Sequence, residues 1–500
     1  MSGLVSIVGA GPGDPGLLTL RAADRLRRCD CVVYDHLASP RLLSLTPAGC
    51  EQVYAGKEAG NHALPQEALN ALLAQKAKEG KRVVRLKGGD PYVFGRGGEE
   101  ALYLKGAGVP FEVVPGVTSA VAGLCCAGIP ITHRGLATSF HVYTAASRTG
   151  EDPVDWAAAA RQEGTLVFLM GLSRLENTCR KLLENGLSPD TPAAVVSRAT
   201  TPLQRTVRAP LGKLAAAVRA AKLPPPAITV VGQVASLGGV LDCFEERPLF
   251  GRTVVTTRQK NHGFDLSAAL EEAGARVERL DAIRIRPCPG EDLQQAFARL
   301  GEYSYLIFTS QNAVRIFLEE LRRSGRDLRA LAGPCLCAVG PATAAALARE
   351  GLTADLTPPR HTSAGLWEVL GDRLGPGDRV LYPRAKAVRG KLGEWLPTRC
   401  PTDQVVLYET LEEARDLGGA LAALRGGEAD YLTFTSPSAV ESTLRALGPD
   451  PAACLAGTKI VSIGPVTSGC LRAHGLEPTL ESGRCTAEEM ARLIVEDGRT

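Results

Sequence analysis

The sequence predicts an α/β protein of more than one domain, and two observations carry that prediction. Strand-like apolar runs alternate with helical stretches almost throughout the 500 residues, a pattern typical of α/β architecture. A chain of this length is also too long for one hydrophobic core, so about two to four domains are expected. The new β-start "RTVVTTR" after "FEERPLFG" places a domain boundary near residues 245 to 250.

In the first half, the predicted strands are, in order, "LVSIVG", "CVVYD", "RVVRLKGG", "FEVVPG", "TLVFLMG", "AAVVSRAT" and "AITVVGQV". Ligands bind at the carboxyl ends of strands in open α/β sheets. Glycine and polar residues gather at those ends, at Asp35, Lys57, Gly88 to Asp90, and Thr118 with Ser119. The sequence therefore predicts a cleft lined by backbone groups at one sheet edge.

The first of these loops, "GAGPGDPG" at residues 9 to 16, resembles a phosphate-binding loop only superficially. The third glycine of a dinucleotide fingerprint is replaced by Asp14, and no Gly-Lys-Ser/Thr sequence follows. A carboxylate at Asp14 also disfavours a phosphate there, and Asp14 or Thr19 is expected to cap the next helix. The loop suits a ligand without phosphate that is approached by backbone.

The second half contains a repeat. "YLIFTSQNAVRIFLEEL" at 305 to 321 matches "YLTFTSPSAVESTLRAL" at 431 to 447, and "AVGPATAAALAREGL" matches "SIGPVTSGCLRAHGL". Two similar parallel-sheet α/β lobes are predicted, the second (about 287–403) inserted in the first, with a ligand cleft between them. Small polar residues at strand ends and helix starts suit carboxylates, although each alone could be a simple cap. They are Thr309, Ser310, Asn312, Gly340, Thr343, Thr435, Ser436, Ser438, Gly464 and Thr467.

Composition narrows the function classes. A net charge of +3 without a basic, aromatic-interleaved block argues against nucleic acid. The most apolar region, residues 111 to 132, holds Pro115 and Pro130 and is expected to be buried core, not a membrane span. The chain opens without a basic start, which argues against a signal peptide, and reduced thiols in the cytoplasm are the expected state of its cysteines. The 14 cysteines lack paired C-x-x-C motifs, which indicates neither a metal site nor a disulfide framework.

The first half, residues 1 to 245, resembles the uroporphyrinogen-III C-methyltransferases of the tetrapyrrole methylase superfamily. The resemblance rests on "VGAGPGDPGLLTL", "VVYDHL", "GKEAG", "RLKGGDPYVFGRGGEE", "VPGVTSA", "AGIPITHR" and "LVFLMG". It implies a two-lobed fold, a homodimer, S-adenosylmethionine as methyl donor and S-adenosylhomocysteine as product. "HVYTAAS" departs from the Thr-Gly-His that the family often has, which affects only contacts on the acceptor side.

The resemblance also implies roles for individual residues. Asp35 would accept a proton, unless it only caps a helix, and Lys57 would donate one, unless it is a solvated surface lysine. Arg85, Lys87, Arg96, His133 and Arg134 are candidates to face the acidic substituents of a tetrapyrrole. Donor contacts are implied at Pro12, Gly88, Gly89, Asp90, Val93, Thr118, Ser119, Met170 and Ala199.

Residues 250 to 500 resemble uroporphyrinogen-III synthase, on the repeated "FTSxxAV", "VGPATA", "IGPVTS", "VVLYET" and "LYPRAKAVRGKL". The resemblance implies cyclisation and dehydration of hydroxymethylbilane with inversion of the last pyrrole ring. It implies Tyr408 as an acid, aided by Thr467. Arg384 is expected either to bind substrate carboxylates or to be a surface charge.

Together the two resemblances predict a bifunctional enzyme. Its C-terminal half would make uroporphyrinogen III, and its N-terminal half would methylate that product twice to precorrin-2. The alternative is a methyltransferase of a later corrinoid intermediate, fused to a half that only binds tetrapyrrole. The sequence leaves open whether the product serves sirohaem or cobalamin.

Overall fold

The computed structural model describes residues 3–56, 64–145, 152, 154–257, 264–281, 284–388, 390–411, 415–416 and 419–499. The chain divides into two compact units. The first is built mainly from residues up to Arg252, and the second mainly from Thr253 to Gly498. No helix in these ranges is both long enough and apolar enough to cross a membrane.

The first lobe of the N-terminal unit is a parallel sheet in the order β3-β2-β4-β1-β5. One core, on one face of the sheet, joins Val5 and Val83 to Leu73 and Leu104 on two of the helices. The elements are β1 Leu4–Gly9, α1 Leu20–Arg28, β2 Cys31–Tyr34, β3 Glu51–Tyr54, α2 Gln66–Lys78, β4 Arg82–Lys87, α3 Gly97–Gly106, β5 Phe111–Val114 and α4 Ser119–Cys125.

The residues of β4 alternate between the two faces of this sheet. Val84 and Leu86 belong to one apolar core, and Val83 to the other. Arg85 and Lys87 share the face of Val83, and both contact Glu100 of α3. The face therefore changes from apolar to charged towards the carboxyl end of the strand, which is where a ligand would bind.

The second lobe is a mixed sheet in the order β6-β7-β10-β8-β9. Only β6 and β7 are parallel; the other neighbours are antiparallel. The edge strands β6 and β9 were not among the predicted strands, because they are half-exposed and lack a continuous apolar run. The elements are β6 Phe140–Thr144, α5 Trp156–Arg161, β7 Thr165–Leu169, α6 Leu175–Glu184, β8 Pro192–Ser197, β9 Arg205–Pro210, α7 Leu211–Ala221 and β10 Ala227–Val231.

The C-terminal unit contains two further sheets. Its elements are β11 Thr253–Thr256, α8 Leu266–Glu272, β12 Arg276–Asp281, β13 Arg284–Pro287, α9 Glu291–Ala298, β14 Tyr305–Phe308, α10 Gln311–Arg323, β15 Cys335–Ala338, α11 Pro341–Arg349, α12 Ser363–Leu370, β16 Val380–Ala385, α13 Leu392–Trp395, β17 Thr402–Leu411, β18 Arg415–Asp416, α14 Ala420–Arg425, β19 Tyr431–Phe434, α15 Pro437–Leu447, α16 Pro451–Cys454, β20 Lys459–Ser462, α17 Pro465–Ala473, β21 Leu480–Glu481 and α18 Ala487–Asp497.

One of these sheets has the order β18-β12-β11-β19-β20-β21, and the other β13-β17-β16-β14-β15. The second sheet takes all its strands from residues 284 to 411, so it interrupts the first in sequence. The repeated segments occupy equivalent positions: β14 pairs in parallel with β15, and β19 with β20. Helix α10 follows β14 as α15 follows β19.

Candidate functional site

Three glycine loops follow β1, β4 and β5 and pack against one another at the carboxyl edge of the first sheet. A Cβ on Gly9 would lie 2.5 Å from Gly116 Cα and 2.6 Å from the Gly89 carbonyl oxygen. Gly11 and Gly89 pair as an isolated bridge, with Gly89 N donating to Gly11 O at 2.7 Å. Real Cβ atoms do not approach this closely, so the sequence needs glycine there to bring the loops together.

Asp90 joins two of these loops by hydrogen bonds. Its Oδ2 accepts from Gly116 N at 3.1 Å, and its Oδ1 accepts from Tyr92 N at 2.8 Å. Gly88, just before it, lies so close to Leu37 that a Cβ would stand 2.6 Å from Leu37 Cβ. The predicted donor residues Gly88, Gly89 and Asp90 therefore belong to one fixed wall, and most of their polar contacts are backbone groups.

The opening loop also meets the second lobe. Asp14 N donates to Thr200 Oγ1 at 3.2 Å, and a Cβ on Gly13 would lie 2.9 Å from Thr201 Cγ2 and 3.5 Å from Ala199 O. The loop of Pro12 and the segment of Ala199 are thus neighbours, as a shared ligand site requires.

Both predicted caps form at the end of this loop. Asp14 accepts from Gly16 N at 2.7 Å and caps the 3-10 helix Pro15–Leu17. Thr19 accepts from Ala22 N at 3.2 Å and caps α1. The Asp14 carboxylate therefore lies at the helix start, where a phosphate would otherwise bind. A phosphate placed there would be repelled by its negative charge.

Backbone strain is concentrated in the loops of this unit. Among the described residues, seven non-glycine residues have positive φ, and five of them are Phe94, Arg96, Met170, Arg198 and Thr200. Such conformations are costly and are often retained at ligand sites. Met170 follows β7 at φ 55° and is 53% exposed, so it is not a core residue.

The remaining predicted donor residues lie at helix or loop starts. Val93 is exposed, and its N–H donates to Asp90 O at 3.3 Å. Thr118 caps α4 by accepting from Ala120 N at 3.4 Å, and Ser119 is the first residue of that helix.

Asp35 follows β2 and uses its two carboxylate oxygens differently. Oδ1 accepts from Leu37 N at 3.1 Å, a local turn contact, whereas Oδ2 pairs with Arg85 Nη2 at 3.1 Å. The ion pair shows that Asp35 is more than a cap. Lys57, its predicted partner as proton donor, lies outside the described residues.

The prediction that Arg85 and Lys87 face the substrate is wrong. Both are buried, and both bind Glu100, which is wholly buried. Desolvation lowers the pKa of the Lys87 ammonium, and the neighbouring Arg85 lowers it further, while Glu100 and Asp35 oppose the shift. Glu100 itself was not predicted; the signal for it was the second glutamate of "RGGEE", which follows the loop by one helical turn.

The exposed cations fit the prediction better. Arg96 pairs with Glu99 at 2.7 Å and stays on the surface, and His133 and Arg134 are exposed in the turn closed by the His133–Ala137 bridge. Their role towards acidic substituents stays a prediction.

In the C-terminal unit, Ser310 and Tyr408 meet at the carboxyl edge of the sheet. Ser310 Oγ lies 2.9 Å from Tyr408 Oη and also accepts from Ala313 N at 3.0 Å, capping α10. Burial raises the pKa of the Tyr408 hydroxyl, and its hydrogen bond with Ser310 opposes that shift. Tyr408 therefore holds its proton at neutral pH, as a proton donor must.

The other predicted synthase residues are also at strand ends and helix starts. Ser436 caps α15 by accepting from Ala439 N at 3.2 Å, and Gly340 and Gly464 precede α11 and α17. Thr343 and Thr467 are buried. Thr309, Asn312, Thr435 and Ser438 are half-buried.

The Arg384 guanidinium forms hydrogen bonds with backbone carbonyl groups at the end of its own strand, β16. Its Nη1 donates to Ala385 O at 3.0 Å and to Lys386 O at 3.2 Å. Carboxylate binding by this residue stays a prediction.

Comparison with known families identifies both halves. Residues 4–215 match the family "Tetrapyrrole (Corrin/Porphyrin) Methylases", and residues 265–492 match "Uroporphyrinogen-III synthase HemD". Over 99% of its length the chain is 37% identical to the porphyrin biosynthesis protein HemD of Ruminiclostridium josui, covering 98% of that protein.

Two further matches are C-methyltransferases. The uroporphyrinogen-III C-methyltransferase of Bacillus subtilis is 38% identical, with 66% of this chain and 68% of that protein covered. A crystal structure of uroporphyrin-III C-methyltransferase from Thermus thermophilus, complexed with S-adenosylhomocysteine, is 45% identical over 47% of this chain and 100% of that one, with a TM-score of 0.42.

Proposed function

This chain belongs to the family of the porphyrin biosynthesis protein HemD and joins a tetrapyrrole methylase domain to a uroporphyrinogen-III synthase domain, and we propose that it catalyses two consecutive steps of tetrapyrrole synthesis. The synthase half cyclises hydroxymethylbilane to uroporphyrinogen III. The methylase half then adds two methyl groups from S-adenosylmethionine, giving precorrin-2 and S-adenosylhomocysteine. The domains proposed are 1–245 and 250–500, with the second synthase lobe, about 287–403, inserted in the first.

The observation that carries the methylase assignment is the cradle formed by the closely packed loops of Gly9, Gly89 and Gly116, in which a Cβ on Gly9 or Gly116 would overlap neighbouring backbone. Its walls are backbone, and the Asp14 carboxylate at the following helix start disfavours a phosphate, so the cradle fits a phosphate-free ligand. Bound S-adenosylmethionine supplies an activated methyl group on a sulfonium. Pro12, Val93, Thr118, Ser119, Met170 and Ala199 complete the proposed donor site.

The protein's task in this reaction is to align the methyl group with a pyrrole carbon and to exclude water. That carbon becomes nucleophilic when the pyrrole system loses a proton. Asp35 is the proposed acceptor of that proton, because its carboxylate lies at the sheet edge and is oriented by Arg85. Arg96, His133 and Arg134 are exposed cations that suit the carboxylates of a tetrapyrrole.

In the synthase half, the Ser310–Tyr408 pair supports a proton donor at a sheet edge. Cyclisation removes a hydroxyl from the linear tetrapyrrole, and a protonated Tyr408 can supply the proton that leaves with it as water. Helix starts at Ser310, Gly340, Ser436 and Gly464 offer backbone N–H groups to substrate carboxylates. Holding the chain folded is the main catalytic contribution proposed here.

We also propose a homodimer formed through the methylase half and a cytoplasmic location. Exposed apolar side chains such as Leu102 and Val240 in the N-terminal unit are consistent with a covered surface there.

Two separate experiments test the two halves. Calorimetry with S-adenosylhomocysteine tests the first half, and absence of binding would contradict it. Supplying hydroxymethylbilane without a methyl donor tests the second half. The proposal expects the type III isomer, whereas closure only to the symmetric isomer would contradict it.

A further inference from the structure

Arg85 and Lys87 of β4 and Glu100 of α3 form a buried charged cluster near the carboxyl edge of the first sheet (the Glu100 cluster). Arg85 and Lys87 are 4% and 5% exposed, and Glu100 is 0% exposed. Glu100 Oε1 accepts from Lys87 Nζ at 2.7 Å and from Arg85 Nε at 3.3 Å. Removing three charges from water is rarely repaid by their pairing, so a buried ion cluster is weak support for stability and invites a different explanation.

Arg85 connects this cluster to the proposed active site. Its Nε binds Glu100, and its Nη1 donates to Leu86 O at 3.0 Å and Val33 O at 3.4 Å. Its Nη2 donates to Asp35 Oδ2 at 3.1 Å. Each guanidinium nitrogen is therefore engaged, and the one that reaches Asp35 is held in place by the other two.

Glu100 is itself fixed from several elements. It lies on α3, its two cations lie on β4, and Gln66 Nε2 of α2 donates to Glu100 Oε1 at 3.3 Å. The same Gln66 amide donates to Asn70 Oδ1 at 2.9 Å. Glu100 Oε2 is buried and has no hydrogen-bond partner among the described residues. Among the described residues, Glu100 therefore accepts all of its hydrogen bonds on Oε1, from Lys87, Arg85 and Gln66.

We propose that Glu100 is a positioning residue for methyl transfer, which acts by holding Arg85 against Asp35. This inference rests on the proposed methyltransferase function. Glu100 is fully buried and touches no substrate, so it affects the reaction only through the orientation of the Asp35 carboxylate. Displacement of a catalytic group by about 1 Å can cost about 100-fold in rate.

The variant Glu100→Gln tests this, because it keeps the shape and an acceptor oxygen but removes the charge. We expect kcat for methylation of uroporphyrinogen III to fall about 10- to 100-fold, with KM and the affinity for S-adenosylhomocysteine changed by less than about twofold. Glu112→Gln is the matched control: Glu112 is also ion-paired with an arginine of this lobe, Arg25, and hydrogen-bonded to Ser6. An unchanged kcat in Glu100→Gln, or an equal loss in Glu112→Gln, would overturn the proposal.

A double-mutant cycle separates positioning from a general structural loss. Arg85→Lys keeps a charge but lacks the planar fork. If Glu100 acts through Arg85, the double variant Arg85→Lys/Glu100→Gln is no slower than the slower single variant. If the two single variants lower kcat by factors that multiply in the double variant, Glu100 does not act through Arg85, and this part of the proposal is overturned. Should Glu100→Gln fail to fold, Lys87→Met/Glu100→Gln removes one charge of each sign and is measured in its place.

Measurements on the wild-type enzyme separate failure of the proposed methyltransferase function from failure of the positioning role of Glu100. If it neither binds S-adenosylhomocysteine nor methylates, the proposed function itself fails. If it is active and Glu100→Gln equals it, only the positioning role of Glu100 fails.

Discussion

Gly9 and Gly116 lie so close that a Cβ on Gly9 would stand 2.5 Å from Gly116 Cα. They follow β1 and β5, neighbouring strands of the first sheet. The contact brings two backbone loops together at the edge where the methyl donor is proposed to bind. Even the methyl side chain of alanine at Gly9 would therefore push the two loops of the cradle apart.

Gly9→Ala is therefore expected to damage donor binding. The added methyl group forces the loops apart, at a cost of about 1–3 kcal/mol, and the affinity for S-adenosylhomocysteine should fall at least about tenfold. Calorimetry measures the affinity. Gly49→Ala is the control, because a Cβ there meets nothing within 4 Å. Equal affinities in the two variants would contradict the assignment of the cradle.

Tyr408→Phe is expected to slow cyclisation without affecting methylation. The variant removes one hydroxyl next to Ser310, and the rate of type III isomer formation should fall about tenfold, equivalent to about 1.4 kcal/mol. Methylation of supplied uroporphyrinogen III should stay at the wild-type rate. The measurement is isomer analysis by chromatography.

Tyr303→Phe provides the matched control for that variant. Tyr303 is a buried tyrosine of the same lobe, and its hydroxyl donates to Asp403 Oδ2 at 2.6 Å. If both variants slowed cyclisation equally, loss of packing would explain the effect, and Tyr408 would not be the proton donor.

The buried Lys87 predicts a specific pH dependence of stability. Its pKa is lowered in the folded protein, chiefly by desolvation. Between that lowered pKa and the ordinary value of about 10.4, the unfolded chain binds more protons than the folded one, so the contribution of Lys87 to stability rises with pH. The free energy of unfolding of wild type minus that of Lys87→Met should increase from about pH 8 to about pH 10. Urea unfolding at both pH values measures it, and a constant difference would contradict the burial of a cation.

The sequence predicted the α/β class and the central strands well, because β1, β7, β8 and β10 are largely apolar runs buried on both faces, and β4 contributes Val83, Val84 and Leu86 to the cores. It missed β6 and β9 because edge strands carry polar residues on their open side. Local signals were sufficient for the caps at Asp14 and Thr19, which depend only on nearby residues.

The error at Arg85 and Lys87 has a different cause. Their position at a strand end suggested a ligand, but a strand has two faces, and the sequence does not show which helix covers each. Glu100 comes from a helix that begins after the loop, so only the folded chain reveals that it pairs with both cations. The position of Asp35 at a strand end was predictable, whereas its ion pair with Arg85 was not.

The most direct test is one incubation of the full chain with hydroxymethylbilane and S-adenosylmethionine, with added methyl groups counted by mass and the isomer identified by chromatography. The account predicts a cyclised type III tetrapyrrole that carries two added methyl groups. Asp35→Asn should instead accumulate unmethylated uroporphyrinogen III. A product from the wild-type enzyme without added methyl groups, or one that is only the symmetric isomer, would contradict the claim that one chain performs both steps.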